Sequence, residues 1–317
     1  MATNSKRIAA FDIGTVTCRL LLAEVQDGAL HELERRCVIT NLGVGVDKTG
    51  VLQEDAIQRV VAQIGEYVEI VNSYRDDKHP EIPIVAVATS ASRDAKNSDV
   101  LVGKLRELGV ELSVIEGERE AALSFRGASR GHKGENLLVA DIGGGSTEVV
   151  LGVGGEAPKL AHSFNVGCRR MTERFYVSDP PVELELAQAR AWVQHEFKAF
   201  FEDAKNEGIA IDRIVAVAGT ATSVVSMDKK MEVYDSALVD GVMVPGETLN
   251  SLYHQLSSMP LADRKQVVGL QPERASVIVA GLGILLEVLA AADCKSFTVS
   301  ESDILQGLIL DAYEQGK

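Results

Sequence analysis

The chain has 317 residues, 46% of them hydrophobic and 25% charged, a balance that excludes disordered and collagen-like classes and marks a globular protein. A single core stops growing near ~250–300 residues, so two lobes are expected. The formal charge of -14 disfavours nucleic acid and anionic membrane as partners, and a polyanionic substrate would need a local basic lining or a metal ion.

Lys6 and Arg7 precede an apolar run, Ile8 to Phe11, but Asp12 interrupts it before signal-peptide length; no export signal is expected. The four cysteines, Cys18, Cys37, Cys168 and Cys294, lie far apart without CxxC spacing, which argues against zinc and for reduced thiols in the cytoplasm. The six histidines lack metal-like spacing, and none is assigned a ligand role.

In chain order, strand patterns cover Ile8 to Phe11, Leu20 to Val25 and Leu33 to Ile39, followed by an amphipathic helix from about Asp55 to Tyr74. The pattern then alternates: strand at Ile84 to Ala88, helix at Asp99 to Leu108, strand at Glu111 to Ile115, helix at Glu118 to Arg126. Gly127 to Glu135 is Gly-rich and polar, the composition of a connection between lobes. A boundary near residue 130 follows, giving lobes at 1–130 and 131–317. The second half restarts with strands at Leu137 to Ala140, Glu148 to Val153 and Leu160 to Val166, a helix from about Val182 to Asn206, a strand at Ile214 to Val217, and mostly helices thereafter. Ala275 to Ala292 is nearly apolar but interrupted by Gly281, Gly283 and Glu287, which reads as a buried helix rather than a membrane span. The last helix, about Asp303 to Glu314, is too short to stand alone and must pack on something.

The two halves echo each other. Residues 11–23 read Phe-Asp-Ile-Gly-Thr-Val-Thr-Cys-Arg-Leu-Leu-Leu-Ala, and residues 140–152 read Ala-Asp-Ile-Gly-Gly-Gly-Ser-Thr-Glu-Val-Val-Leu-Gly. Each places Asp-Ile-Gly at a strand end, a hydroxyl residue at the fifth position after Asp, and a charge at the seventh. Two related lobes facing one cleft are the natural reading.

In the second copy, Gly143, Gly144 and Gly145 allow close approach of the main chain, and successive N–H groups there can converge on phosphate. Ser146 and Thr147 would add hydroxyls, and Asp141 with Glu148 would hold a divalent cation. In the first copy, Gly14 sits at the bend with Thr15 and Thr17 as hydroxyl donors, completing a two-sided clamp.

Other segments leave alternatives open. Val87 to Asn97 places Arg93 in the first turn of an expected helix, where a cation opposes the dipole and an anion would explain it; an ion pair with Asp94 or Asp99 explains it equally. Glu116 and Glu118 suit a helix start, whereas Glu120 lies deeper and would activate water if it faces the cleft. Val217 to Ser223, with Gly219, Thr220 and Thr222, reads as a phosphate or nucleotide turn or as an ordinary N-cap. Arg169, Arg170 and Arg174 line the cleft or, by slight preference, form a solvated helix face.

Asp12-x-Gly14 with Arg19-Leu20, Ala88-Thr89-x-Ala91-x-Arg93-x-Ala95-x-Asn97, Ile115-x-Gly117-x-x-Glu120-Ala121, Asp141-x-Gly-Gly-Gly-Ser146-x-Glu148 and Gly219-Thr220-x-Thr222 occur in this order. Arg274-Ala275 with Ile278 and Gly281, then Ser300 to Gly307, continue the series. The set resembles the Ppx/GppA family of exopolyphosphatases and guanosine pentaphosphate phosphohydrolases, in its short two-domain form.

The resemblance implies an α/β fold of two ribonuclease-H-like lobes, as in the acetate kinase, sugar kinase, heat-shock ATPase and actin superfamily, with an interdomain cleft and the last helix, about 303–317, returning to the first lobe. It implies Glu120 as the water-activating glutamate and a magnesium site at Asp141 and Glu148, with Asp12 as a further candidate ligand. Arg93 and the loops holding Gly14, Thr15, Thr17, Gly143 to Ser146, Gly219, Thr220 and Thr222 would bind phosphate. Inorganic polyphosphate is the expected substrate, guanosine pentaphosphate the alternative, and a homodimer the expected assembly. Where the family commonly has Asp-x-Gly-Ser-Asn-Ser, this chain has Thr15, Val16 and Thr17, which bears on substrate choice. The extra C-terminal domains of longer exopolyphosphatases are not in this sequence, so reduced processivity is expected. A small-molecule kinase and a non-catalytic sensor are the competing readings: the kinase would need an acceptor, and the sensor would bind without turnover.

Overall fold

The computed structural model describes residues 5–316; the extreme ends of the two expected lobes, residues 1–4 and 317, lie outside the described residues. The chain divides into two compact units, Met1–Leu123 with Ile304–Lys317, and Ser124–Asp303.

The first unit opens with three antiparallel strands, β1 (Lys6–Ile13), β2 (Thr17–Gln26) and β3 (Ala29–Ile39). A short helix α1 (Val46–Thr49) and the long α2 (Glu54–Ser73) lead to β4 (Ile84–Ala88), α3 (Ser90–Asp94), α4 (Ser98–Glu107), β5 (Leu112–Val114) and α5 (Gly117–Ala128). The sheet runs β3-β2-β1-β4-β5, with β4 parallel to β1 and β5 parallel to β4. β1 lies inside the sheet and is covered on both faces, which is why it reads as an unbroken apolar run rather than an alternating one. Its Ala9, Phe11 and Ile13 join one cluster with Ile57, Val60, Ile64, Tyr67 and Val71 of α2. That helical face recurs at three- and four-residue spacing, as an amphipathic helix must.

The second unit repeats the plan. Strands β6 (Asn136–Ile142), β7 (Thr147–Val153) and β8 (Pro158–Phe164) form the antiparallel set. There follow α6 (Cys168–Phe175), α7 (Glu183–Asn206), β9 (Arg213–Val217), α8 (Ala218–Asp228), β10 (Met243–Pro245), α9 (Gly246–Ser257), α10 (Leu261–Arg264), α11 (Ile278–Ala291) and β11 (Ser296–Val299). The sheet order β8-β7-β6-β9-β11-β10 reproduces that of the first unit with one added edge strand, β10. The echo between residues 11–23 and 140–152 is therefore the trace of a repeated sheet. The apolar stretch near residue 280 is α11, buried over most of its length. Its Glu287 is 2% exposed and bonded to Arg190 Nε at 2.5 Å and Gln194 Nε2 at 2.8 Å, which gives a buried carboxylate the partners it requires. Among the described residues no helix is long and apolar enough to cross a membrane.

The last helix, α12 (Ile304–Glu314), belongs to the first unit. Ile304, Leu305, Leu308, Ile309 and Ala312 pack against Ile8, Ala10, Leu21, Ala23 and Val25, the opposite face of β1 and β2 from α2. A Cβ on Gly307 would fall 2.1 Å from the Leu123 carbonyl, so only glycine permits that approach. An eleven-residue helix is marginal alone; each buried Leu or Ile contributes about 1.5–3 kcal/mol and holds it.

Two expectations are corrected. The division falls at Leu123/Ser124, inside α5, and not at residue 130. The Gly-rich segment after α5 instead forms the approach to β6: Gly134 N–H donates to the Gly154 carbonyl and Gly154 N–H to the Glu135 carbonyl, so its glycines serve a turn within the second unit. Arg93 lies in the last turn of the five-residue α3, not the first turn of a longer helix, because the chain leaves the helix at Ala95 in an extended conformation. The dipole argument for an anion at Arg93 therefore fails. The region after Val217 is mostly helical, as expected, with two short strands, β10 and β11, added.

Candidate active site

In both units the first two strands close on a short turn with charged residues paired across them. In the first unit Asp12 stands opposite Arg19. Arg19 donates to Asp12 Oδ2 from Nε at 2.8 Å and from Nη2 at 2.6 Å, so the guanidinium already neutralises this carboxylate and weakens the case for Asp12 as a metal ligand.

Gly14 N–H donates to the Thr17 carbonyl at 2.9 Å to close the turn. Behind it runs a strap from Thr40 to Gly43: Gly43 N–H donates to the Thr15 carbonyl at 2.8 Å, and Thr40 and Asn41 N–H to the Val16 carbonyl at 3.0 and 2.9 Å. In a trans peptide the C=O of one residue and the N–H of the next point in opposite directions. Carbonyls drawn back to the strap therefore turn the amides of Val16 and Thr17 away from it. Val16 is 5% exposed; its side chain fills the unit, while its main chain still supplies an N–H.

In the second unit Asp141 stands opposite Glu148. They are 6% and 1% exposed, and each accepts a hydroxyl bond, Asp141 Oδ2 from Ser124 Oγ and Glu148 Oε1 from Ser163 Oγ, both at 2.6 Å. Directly opposed residues of an antiparallel pair have Cβ atoms about 5 Å apart, and like charges there repel. A divalent cation would relieve that repulsion. Magnesium typically takes one or two carboxylates and fills its shell with water and phosphate oxygens. Asp141 and Glu148 fit that demand; among the described residues no group of three or more His, Cys, Asp or Glu is arranged to hold a metal.

The turn between them is backed by the start of α6. Cys168 N–H donates to the Gly143 carbonyl at 2.9 Å, Arg169 and Arg170 N–H to the Gly144 carbonyl at 2.8 and 3.2 Å, and Arg170 Nε to the Gly145 carbonyl at 2.8 Å. By the same peptide geometry, the amides of Gly144, Gly145 and Ser146 face the other side. None of these three amides has a hydrogen-bond partner among the described residues. Three successive unbonded donors form an anion-binding concavity. Arg169 is 9% exposed and Arg170 half-buried, whereas Arg174 is exposed, so the solvated face expected of the basic cluster holds for Arg174 alone.

Glu120, in the first turn of α5, is 8% exposed and accepts from Arg93 Nη1 at 3.1 Å; the same nitrogen donates to the Ile115 carbonyl at 2.8 Å. The structure thus brings Arg93 and Glu120 into one ion pair that orients the carboxylate.

The third loop departs from expectation. Ala218 holds a left-handed φ of 65°, a strained conformation for a residue with a side chain and one that clusters at functional sites. Gly219 lies under the guanidinium of Arg274, whose Nη1 would be 2.1 Å from an added Cβ. Arg274 is 7% exposed, and its Nε has no hydrogen-bond partner among the described residues. Thr220 is buried against Gly281 of α11, a packing role, whereas Thr222 is half-buried.

Residue patterns missed the strap Thr40 to Gly43, the backing role of Gly167 to Arg170, and Ser124 and Ser163; Arg274 was only a family landmark. A glycine recurring just past the third strand of each repeat, Gly43 and Gly167, was the available signal.

The profile of the Ppx/GppA phosphatase family matches residues 21–315. Exopolyphosphatase 2 of Mycobacterium tuberculosis (strain CDC 1551 / Oshkosh) is 36% identical over 321 residues, covering 96% of this chain and 98% of that protein. The crystal structure of an exopolyphosphatase-like protein superposes with a TM-score of 0.88 at 33% identity, covering 97% of this chain and 98% of that one. The Aquifex aeolicus PPX-GPPA enzyme does so with a TM-score of 0.80 at 30% identity, over 97% of this chain and all of that one, 100%. The repeated sheet, the paired turns and these likenesses agree: the chain belongs to the Ppx/GppA phosphatase family.

Proposed function

We propose that this protein is an exopolyphosphatase that hydrolyses the terminal phosphoanhydride of inorganic polyphosphate. The observation that carries the reading is the run of unbonded amides at Gly144, Gly145 and Ser146 beside the buried pair Asp141 and Glu148. That combination suits a terminal phosphate, which offers several oxygens and a high charge to donors fixed in place. The likeness to a named exopolyphosphatase over 98% of its length supports it.

In the proposed reaction a water oxygen attacks the terminal phosphorus, the bond to the bridging oxygen breaks, and orthophosphate leaves a chain one unit shorter. Glu120 accepts the proton of the attacking water, with Arg93 holding its carboxylate. The amides of the glycine loop bind phosphate oxygens and stabilise charge that builds on the equatorial positions; in the first unit the amides of Val16 and Thr17 are the equivalent donors. Gly14 keeps its turn tight, Thr15 and Thr17 supply hydroxyls, and Arg274 with Gly219 and Thr222 offers a further anion contact. Magnesium held by Asp141 and Glu148 would neutralise phosphate charge. A homodimer and a cytoplasmic setting belong to the same proposal.

Phosphate release by the purified protein tests it, with long polyphosphate, tripolyphosphate and guanosine pentaphosphate compared at equal magnesium. Faster release from polyphosphate is expected. Preference for guanosine pentaphosphate would reassign the substrate, and a requirement for an acceptor hydroxyl would replace hydrolase with kinase.

A further inference from the structure

The first turn of α6 has an unusual task. A helix begins with backbone N–H groups that lack intrahelical partners, and this is commonly where an anion binds. In α6 those donors are spent on carbonyls: Cys168, Arg169 and Arg170 N–H hold the carbonyls of Gly143 and Gly144. Arg170 adds its side chain, with Nε on the Gly145 carbonyl at 2.8 Å. Three consecutive peptide planes are thereby fixed, each with its oxygen towards α6 and its N–H away from it.

The approach depends on Gly167. A Cβ there would lie 2.4 Å from the Gly144 carbonyl carbon and oxygen and from the Gly145 carbonyl carbon. These are backbone atoms that cannot rotate aside. The positive end of the helix is thus relayed through three peptide dipoles to the far side of the loop.

We infer that Gly167 and Arg170 are positioning residues that set the amides of Gly144, Gly145 and Ser146 for a terminal phosphate. They touch the loop and not the phosphate. The inference rests on the phosphohydrolase reading for its consequence in rate, while its consequence in binding is independent of turnover.

The test uses the full chain and variants R170A, R170K and G167A, with tripolyphosphate as the probe. Calorimetry measures affinity, phosphate release measures kcat and KM, and a thermal scan measures the folded fraction. R170A is expected to lower kcat by about tenfold to a hundredfold, because donors displaced by a fraction of an ångström lose transition-state contacts first. KM and tripolyphosphate affinity should change less, R170K should recover part of kcat, and Tm should stay near that of the wild type. G167A is expected to exceed R170A in every respect; if it fails to fold, the two Arg170 variants still decide. The inference is overturned if R170A matches the wild type in both affinity and kcat, or if its loss equals the unfolded fraction. If the wild-type chain binds tripolyphosphate but releases no phosphate, the hydrolase reading fails, and a weaker affinity of R170A still supports the positioning role. Absence of tripolyphosphate binding by the wild-type chain overturns the positioning role itself.

Discussion

The hairpins β1-β2 and β6-β7 share their register, their Asp-Ile-Gly turn and a strap that holds the turn's carbonyls, yet differ in one cross-strand pair. In the first unit the aspartate faces an arginine, Asp12 opposite Arg19; in the second it faces another acid, Asp141 opposite Glu148. The first pair brings opposite charges together, Arg19 holding Asp12 Oδ2 with two nitrogens. The second sets two buried acids opposite each other, the pair to which the proposed function assigns magnesium. One frame, duplicated, has thus been given two electrostatic tasks, and a single side chain at the seventh position after Asp decides which.

The strongest way to break this contrast is to make the second hairpin like the first. Glu148→Arg should lower kcat/KM by at least ~10³-fold, losing a carboxylate where metal assistance is proposed, and should remove the dependence of phosphate release on magnesium concentration. A retained magnesium response would overturn the assignment of the pair. Glu120→Gln, which leaves both hairpins intact, should lower kcat by about 10²–10⁴-fold with tripolyphosphate affinity within a few-fold; equal loss of both would argue against a role in activating water.

Smaller effects sharpen the first hairpin. Arg19→Ala leaves Asp12, whose side chain is 4% exposed, without its guanidinium, and should cost about 3 kcal/mol in urea unfolding; Asp12→Asn in the same background should recover part of it. Gly43→Ala places a Cβ 2.3 Å from Thr15 Cγ2 and 3.1 Å from Ala91 Cβ. Because a methyl group can give way more readily than the backbone facing Gly167, its cost should be about 1–2 kcal/mol, with a raised KM for polyphosphate.

The smallest effect lies away from both turns. Asp76 is held down to about 2 by amide bonds from His79 and Lys78, with His79 and Arg7 side chains adding to them. A carboxylate depressed in the folded state contributes stability above its unfolded pKa, near 3.8, and loses it as pH falls towards 2. Asp76→Ala should therefore lower Tm by about one or two degrees at pH 6, with the deficit shrinking below pH 3.8 and mostly gone at pH 2. A deficit that persists in acid would locate the effect in packing instead.

Much of the fold was legible because it is written in local periods and repeated words. The alternation of strands and helices follows from apolar spacing, and the echo of Asp-Ile-Gly marked the duplicated hairpin. Arg93 was misplaced because a five-residue helix leaves no periodic trace, and the break at Ala95 is set by its surroundings. The boundary at residue 130 followed glycine content, which reports turns within a unit as readily as links between units.

The amino-acid sequence by itself determined the family, the repeated α/β plan and the acidic and glycine-rich turns, since these depend on residue type and short-range spacing. The return of the last helix to the first lobe was already implied by the resemblance, whereas only the tertiary structure decided which carbonyls are drawn back, which amides are presented, and that Arg93 holds Glu120. Those outcomes arise between residues tens of positions apart, where direction and distance, not composition, determine what a group can do.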